Sequence, residues 1–308
     1  MADTNIPELL TSPHPTLYLE DGTHVLQVEH TLYKLHRHIL CKFSQTFKDM
    51  FIVGTDEKVN FHNVQDGLGS ALEGSGANDS CPIIIPQITC VEWDPFISLA
   101  YGIEYVEPPY KPQLLRNWLN MSKRFQSASV TRKALHAIAS RPFSFPPAEL
   151  VRLAREYEME ELIRPAFRML LDTPLHELND NDCQMIGWRV YRELTLVKEA
   201  ITIHRKIVAT EAPKLTHSPE CRNNELCTQD WEGIWWNGMG RLLMDPYISL
   251  SYDEAFRRFQ TLEFGEMEVV CKQAALQRVD EGQAFLHTVP LVSATISRLT
   301  ALLFAEAW

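Results

Sequence analysis

The spacing of apolar residues changes abruptly near His36, and this change constrains the fold more than any other sequence feature. Between Thr23 and Leu35, apolar and β-branched residues recur in two short runs separated by a polar pair, which predicts a β-hairpin. Beyond His36 the apolar residues adopt helical spacing: Ile39, Leu40, Phe43, Phe47, Met50 and Phe51. One such stripe buries one helix face. A hairpin followed directly by an amphipathic helix predicts an α+β domain.

The flanking segments extend this domain. Residues 1–15 form an arm with three prolines and little pattern, and Thr16–Glu20 predicts a first strand. Residues 53–81 are rich in Gly, Ser, Asn and Asp, which is typical of a mobile acidic loop. Ile83–Ile85 then predicts a short buried strand, and helical spacing follows at about 90–101, 113–125 and 130–139.

Arg141–Pro147 is the clearest linker in the chain, because consecutive prolines cannot lie inside a helix. It separates a predicted domain over residues 16–140 from an all-α region over 148–308. Helical patterns in that region cover about 148–157, 160–171, 189–209, 231–243, 252–262, 265–279 and 290–307. The segment 212–230 is polar and predicted to be irregular.

Charge and composition exclude several classes of function. The net charge of −11 repels phosphate backbones, so we expect no direct nucleic-acid partner. No apolar run approaches the length of a bilayer span, and the polar start of the chain does not resemble a signal peptide. The seven cysteines are odd in number and scattered. We therefore expect an intracellular protein, cytoplasmic or nuclear or both, with no membrane association.

Residues Asp21–Phe51 (DGTHVLQVEHTLYKLHRHILCKFSQTFKDMF) resemble the opening of a BTB/POZ domain, and are most similar to the large fungal, basidiomycete-like class. The shared anchors are an aspartate before a strand, a hairpin, a histidine at the strand–helix junction, and a helix with Ser, Phe and Met-Phe in order. The segment from Pro82, with Trp93 and Tyr101, is similar to the family's next strand and following helix. The resemblance covers about residues 15–135.

The resemblance implies a BTB/POZ fold, a small mixed sheet covered by helices, and a non-enzymatic role in binding other proteins. It implies self-association through this domain, as a scaffold or adaptor. One alternative is a substrate adaptor that binds the cullin scaffold of a ubiquitin ligase, and another is a purely structural family member. At the junction, His36 is expected to bind turn backbone through its ring, with Arg37 and His38 in solvent.

No catalytic signature is found in the sequence. Gly67-Leu68-Gly69-Ser70 imitates a dinucleotide-binding loop but lacks the third glycine and a preceding strand. No nucleophile elbow, Walker sequence or HExxH motif occurs. We therefore predict no catalytic residue and no cofactor.

One group of residues leaves metal chemistry open. His217, Cys221 and Cys227 lie close together, with Cys271 further along the chain. These residue types bind structural zinc, but the spacing lacks a paired Cys-x-x-Cys and a fourth ligand must be assumed. We predict no metal and ordinary reduced cysteines. A metal- or thiol-dependent enzyme in this region remains the alternative from another functional class.

Three tryptophans lie in the helix that is predicted to begin at residue 231. Trp231 and Trp235 share one helical stripe and are predicted to be core, whereas Trp236 lies off the stripe and is the candidate exposed anchor.

Overall fold

A computed structural model describes residues 11–53, 76–103, 108–245, 250–282 and 288–304. Its internal contacts divide the chain into two units, residues 1–145 and 146–308. The division falls inside the linker predicted at Arg141–Pro147. The fold class is α+β, with a small mixed sheet near the N-terminus followed by helices, as the sequence predicts at this level.

The sheet of the first unit contains four strands in the order β1-β3-β2-β4: β1 Ser12–Tyr18, β2 His24–Val28, β3 Thr31–Leu35 and β4 Ile83–Ile84. The predicted hairpin is confirmed, because β2 and β3 pair antiparallel from His24 opposite Leu35 to Val28 opposite Thr31. β1 pairs parallel with β3, and β4 pairs parallel with β2.

Strand β1 begins earlier than the sequence predicts. Residues 12–15, which the sequence pattern assigns to the arm, belong to the strand, and residues 1–10 lie outside the described part of the chain. Pro13 and Pro15 conceal the strand signal. A proline cannot donate a ladder hydrogen bond, so it is tolerated only where that bond is dispensable, and β1 is an edge strand among the described residues.

Five helices follow or flank the sheet: α1 Arg37–Phe43, α2 Gln45–Val53, α3 Cys90–Ser98, α4 Pro112–Arg124 and α5 Ala128–Ser140. The stripe predicted as one helix is split at Ser44, which has extended backbone. Its buried hydroxyl donates to Phe125 O at 2.5 Å and accepts from Phe47 N at 3.2 Å. These bonds satisfy the polar atoms that the break leaves in the core.

Aromatic rings fill the core of the first unit. Phe47 stacks on Phe125 at 5.1 Å between centroids, and Trp93 meets Phe125 edge-on at 5.5 Å. Trp93, Phe96 and Phe47 are almost fully buried. Such pairs add to the stabilisation from burial, so this cluster anchors α2, α3 and the end of α4.

Part of the predicted acidic loop is held on the sheet. Residues 54–75 lie outside the described chain, but Gly76 O accepts from Val25 N at 2.9 Å, and Tyr18 donates to the Asp79 carboxylate at 2.6 Å. The described part of the predicted loop, residues 76–81, is therefore ordered by the strands. The dinucleotide-like Gly67–Ser70 lies outside the described residues.

All regular secondary structure in the described residues of the second unit is helical. Its helices are α6 Pro147–Glu156, α7 Ile163–Asp172, α8 Asp180–Thr210, α9 Asn224–Ile234, α10 Arg241–Met244, α11 Tyr252–Gln260, α12 Val269–Glu281 and α13 Thr288–Phe304. None of the described helices combines the length and apolarity needed to cross a bilayer.

The long helix α8 starts at a capping box, in which Asn179 accepts from Asp182 N and the Asp182 carboxylate accepts from Asn179 N. It contains one kink, at Gly187, where φ is 74° and ψ is 161°. Residues with a Cβ rarely adopt this conformation, so glycine permits the kink. The apolar period covers only residues 189–209, the part of α8 after the kink, because the kink breaks that period, whereas the N-capping residues at Asn179–Asp182 predict the helix start that the structure has.

A second hydrophobic core forms around α9, α11, α12 and the C-terminal end of α8. Trp231 and Trp235 are 1% and 2% exposed, whereas Trp236 is 55% exposed, so all three predictions from their spacing are confirmed. Residues Trp235–Gly240 continue α9 as a π-helical segment. The predicted irregular segment is shorter than expected, because α9 already begins at Asn224.

Candidate metal centre

Four residues with metal-binding side chains meet at the edge of the second core. His217 and Cys221 lie in the irregular segment 211–223 between α8 and α9. Cys227 lies near the start of α9, and Cys271 near the start of α12. One ligand atom from each residue can be chosen so that all four lie within 4.8 Å of one another. The tertiary fold thus brings Cys271 to the three residues that are close in sequence.

The segment that carries His217 and Cys221 is attached to the core by side-chain bonds to its backbone. Trp231 Nε1 donates to Pro213 O at 2.7 Å, and Arg278 donates to Lys214 O at 3.1 Å. The chain therefore enters the cluster at a defined position although it forms no helix or strand there.

The ring of His217 is oriented by Thr228. His217 Nε2 lies 3.1 Å from the Thr228 hydroxyl oxygen, and that hydroxyl donates its own proton to Asn224 O at 2.9 Å. Because the hydroxyl proton is already committed, the hydroxyl oxygen accepts from Nε2–H. The proton of the neutral ring is therefore on Nε2, and Nδ1 carries a free electron pair. Nδ1 lies 3.6 Å from Cys221 Sγ and faces the cluster.

Backbone donors and helix ends favour negative charge on the sulfur atoms. Ser218 N–H donates to Cys271 Sγ at 3.3 Å. Cys227 and Cys271 lie in the first turns of α9 and α12, where the helix dipole favours anions. Burial has the opposite effect and is the main reason that the pKa of Cys227 is raised to about 11. A hydrogen bond from the backbone N–H of Glu268 lowers this pKa, whereas the neighbouring thiols of Cys271 and Cys221 raise it. Without a cation, the Cys227 thiol therefore stays protonated at neutral pH.

The loop before α12 is fixed at the same edge of the core. The Asp230 carboxylate accepts from Glu266 N at 2.9 Å, and Gly265 has φ of 58°. A Cβ on Gly265 would lie 2.8 Å from the Asp230 carboxylate, so glycine is required both for the conformation and for the close approach. This contact positions the start of α12, and with it Cys271.

The arrangement has a definite chemical preference. Three thiols and one imidazole are soft and borderline ligands, which favour zinc over magnesium or calcium. Cys227 and Cys271 are buried, and His217 and Cys221 are half-buried. The sequence could identify these residue types but not their convergence. Thr228, which orients the imidazole, has no signal in the sequence because its role depends on the start of α9.

His36 occupies a different environment from the one predicted. Its ring does not bind turn backbone: Nε2 lies 3.2 Å from the Asp21 carboxylate, and Nδ1 lies 3.4 Å from Tyr101 OH. Arg37 is also not free in solvent, because it donates to Phe51 O at 2.9 Å and its guanidinium lies 5.3 Å from the Phe51 ring. His38 is exposed, as predicted.

A small cavity of the first unit has a volume of about 200 Å³. Its lining includes Phe43, Leu99, Ile103, Val130 and Lys133. Its polar side chains are those of Ser129 and Lys133, and no cysteine, histidine or carboxylate lines it.

Comparison of the chain with protein-family models, with curated proteins and with solved structures gives no match.

Proposed function

We propose that this chain is a non-enzymatic protein-interaction module whose first unit is a BTB/POZ-type domain. The order of elements supports this proposal. In the first unit a hairpin is followed by helical residues, then by an edge strand and another helix, which is the order that the resemblance implies. Two further helices follow that the apolar spacing predicts. The net charge of −11 favours protein partners over nucleic acids.

A contact between two anchors of the resemblance gives further support. The histidine at the strand–helix junction, His36, donates its backbone N–H to Tyr101 OH at 2.8 Å. Tyr101 lies in the helical turn that directly follows α3. Two residues that are matched separately in the sequence thus form one structural unit, which links the end of β3 to the turn after α3.

The observation that carries the proposal is an apolar patch at one edge of the sheet, formed by the exposed side chains of Ile84 and Val91. Ile84 on β4 is 65% exposed, and Val91 in the first turn of α3 is 78% exposed. Both lie beside the end of β2, because Ile84 is opposite Gln27 and Cys90 Sγ lies 3.5 Å from Val28 O. Among the described strands β4 is an edge, and an edge strand offers unpaired backbone groups to a partner.

The first partner in this proposal is a second copy of the chain. The BTB/POZ resemblance implies self-association, and a twofold contact buries the same apolar patch on both copies. Light scattering at micromolar concentration tests it. Wild type is expected to have the mass of a dimer, and the double variant Ile84→Lys, Val91→Lys the mass of a monomer, because lysines cannot be buried there without partners.

The matched control is Val289→Lys, which changes a valine of similar exposure (64%) on α13 of the second unit. It is expected to leave the mass unchanged. A monomer mass for wild type across the concentration range would overturn self-association, and so would a dimer that persists in the double variant.

Binding to a cullin scaffold is the second form of the proposal. It is favoured by Val91, whose exposed side chain lies on α3, a helix inside the part of the chain that the resemblance covers. Pulldown with a purified cullin is expected to recover wild type but not Val91→Lys, and equal recovery of the two would count against it. We place this function inside the cell, because an odd and scattered set of seven cysteines is typical of a reducing compartment.

A further inference from the structure

We infer that His217, Cys221, Cys227 and Cys271 bind one Zn²⁺ ion and form a structural metal site of the second unit. The inference does not depend on the proposed interaction function, because every ligand lies beyond residue 146. It revises the prediction of ordinary reduced cysteines that the sequence spacing favours.

The distances in the cluster fit a tetrahedral zinc ion. With Zn–S bonds of about 2.3 Å and a Zn–N bond of about 2.0–2.1 Å, a tetrahedral site places sulfur and nitrogen about 3.6 Å apart and two sulfur atoms about 3.8 Å apart. Cys221 Sγ lies 3.6 Å from His217 Nδ1, and no pair of chosen ligand atoms exceeds 4.8 Å. Contraction by about 1 Å or less therefore closes the site around an ion.

The orientation of the imidazole suits metal binding. Nε2 lies 3.1 Å from the Thr228 hydroxyl and Nδ1 lies 3.6 Å from Cys221 Sγ, so a neutral ring with its proton on Nε2 presents the electron pair of Nδ1 to the sulfur atoms. Zinc-binding histidines nearly always donate their second N–H to an oxygen atom of this kind, which fixes the tautomer and the ring orientation. The Thr228 hydroxyl is itself held by Asn224 O, so this orienting group has little freedom to rotate.

Binding exchanges protons for the cation. One Zn²⁺ ion replaces the three thiol protons, which are released to solvent, and the resulting Cys₃His site carries a net charge of −1. The Ser218 N–H bond to Cys271 and the first turns of α9 and α12 stabilise that charge. These groups explain how a partly buried site tolerates three thiolates.

The site is structural and not catalytic, because the protein supplies all four ligands and leaves no position for water or substrate. Its mechanical effect follows from the elements it joins. His217 and Cys221 belong to the irregular segment 211–223, whereas Cys227 and Cys271 start two helices of the second core. One ion thus crosslinks the irregular segment to both helices.

The test measures metal content directly. Full-length protein purified under reducing conditions from zinc-supplemented cells is analysed by plasma mass spectrometry, and one zinc per chain is expected. Cys227→Ser and Cys271→Ser are expected to lose the metal. Cys183→Ser, which changes a half-buried cysteine of α8 outside the cluster, is the matched control and is expected to keep it.

Loss of a buried cysteine can unfold the region, so a second pair of variants changes the half-buried His217 instead. His217→Cys still offers four ligands and is expected to retain one zinc, whereas His217→Ala is expected to retain much less. In the cobalt-substituted protein, wild type should show the visible bands of tetrahedral cobalt(II) and a thiolate-to-cobalt charge-transfer band. The charge-transfer band should be stronger in His217→Cys, because a fourth thiolate is bound.

Three results would overturn the inference. The first is folded, reduced wild type that takes up neither zinc nor cobalt. The second is metal that remains in Cys227→Ser and Cys271→Ser but is lost in Cys183→Ser. The third is a disulfide between two of the three cysteines in protein isolated without oxidation, which would assign the cluster to redox chemistry instead.

Discussion

Glu193 is buried in helix α8, and Arg298 of α13 donates to its carboxylate. Glu193 is 5% exposed, and its second neighbour is Arg192, whose guanidinium lies 3.4 Å from the same carboxylate group. A buried carboxylate is tolerated only when it is paired, so these contacts are what permit an acidic residue at this position. The pair also attaches the C-terminal helix to the longest helix of the second unit.

Removal of Arg298 is therefore expected to destabilise the second unit. Arg298→Ala leaves the buried carboxylate with Arg192 alone, and we expect a loss of about 1–3 kcal/mol in the free energy of unfolding. Urea denaturation followed by circular dichroism measures it. The double variant Glu193→Ala, Arg298→Ala should lose less than the two single variants together, because the charge and its partner are removed at once. If the loss in free energy of unfolding of the double variant equals the sum of the two single losses, the ion pair contributes nothing to stability.

The hydroxyl of Tyr101 is expected to stabilise the first unit through His36. It accepts from His36 N–H at 2.8 Å, and both residues are half-buried. Tyr101→Phe leaves this donor unsatisfied, which costs about 1–3 kcal/mol for a buried group and less for a half-buried one. Chemical denaturation should show the loss. Tyr110→Phe is the matched control, since Tyr110 is also half-buried in this unit; an equal loss in both variants would contradict the prediction.

The sequence predicts those parts of the fold whose apolar period is regular. The hairpin at Thr23–Leu35 and the core positions of Trp231 and Trp235 follow from spacing alone, because burial on one face requires that spacing. Strand β1 is predicted to start too late because Pro13 and Pro15 imitate a loop. The break at Ser44 is not predicted, because the bond that compensates it comes from Phe125, far along the chain.

The metal centre is a second feature that the sequence alone does not predict. The ligand types His217, Cys221 and Cys227 are visible in the sequence, but a tetrahedral site needs a fourth ligand at a defined distance. Only the tertiary fold, in which α9 and α12 contribute to one core, brings Cys271 to the other three. No local pattern contains that information, so spacing alone favours ordinary cysteines.

Stability of the first unit is expected to depend on the protonation of His24. Burial chiefly lowers the pKa of His24 below 6.5, and the charge of Arg37 lowers it further. The folded state therefore binds a proton less readily than the unfolded chain. The contribution of His24 to stability is present in full above the pKa that this histidine has in the unfolded chain. That contribution is lost as the pH falls through the lower pKa that it has in the folded protein.

Urea denaturation between pH 7 and pH 5 tests the dependence on His24. The free energy of unfolding of wild type should decrease toward pH 5, and His24→Gln should decrease less, since it has no titrating ring. His38→Gln, which changes an exposed histidine of α1, serves as the control and should follow wild type. Identical slopes for wild type and His24→Gln would refute the prediction.

Removal of zinc is expected to lower the thermal stability of the second unit. At free zinc a thousand-fold above its dissociation constant, binding contributes about 4 kcal/mol. For a domain of this size that corresponds to a fall in Tm of about 8–16 °C on chelation. Trp231 and Cys227 belong to the same core, so tryptophan fluorescence during thermal unfolding reports on the change. A Tm that chelator does not alter would contradict a structural role for the ion.

Thr228 is expected to tune zinc affinity without being a ligand. Thr228→Val keeps the shape of the side chain but removes the oxygen that accepts from His217 Nε2–H. Loss of such an orienting partner typically weakens metal binding by about 10–100-fold. Competition with a chromophoric zinc chelator measures the dissociation constant. The matched control is Thr202→Val, because Thr202 also donates to the carbonyl four residues earlier on a helix, Lys198 O, but lies outside the cluster. Equal affinities for wild type and Thr228→Val would show that Nε2 does not orient the ring, and would remove the argument that Nδ1 is the ligand atom.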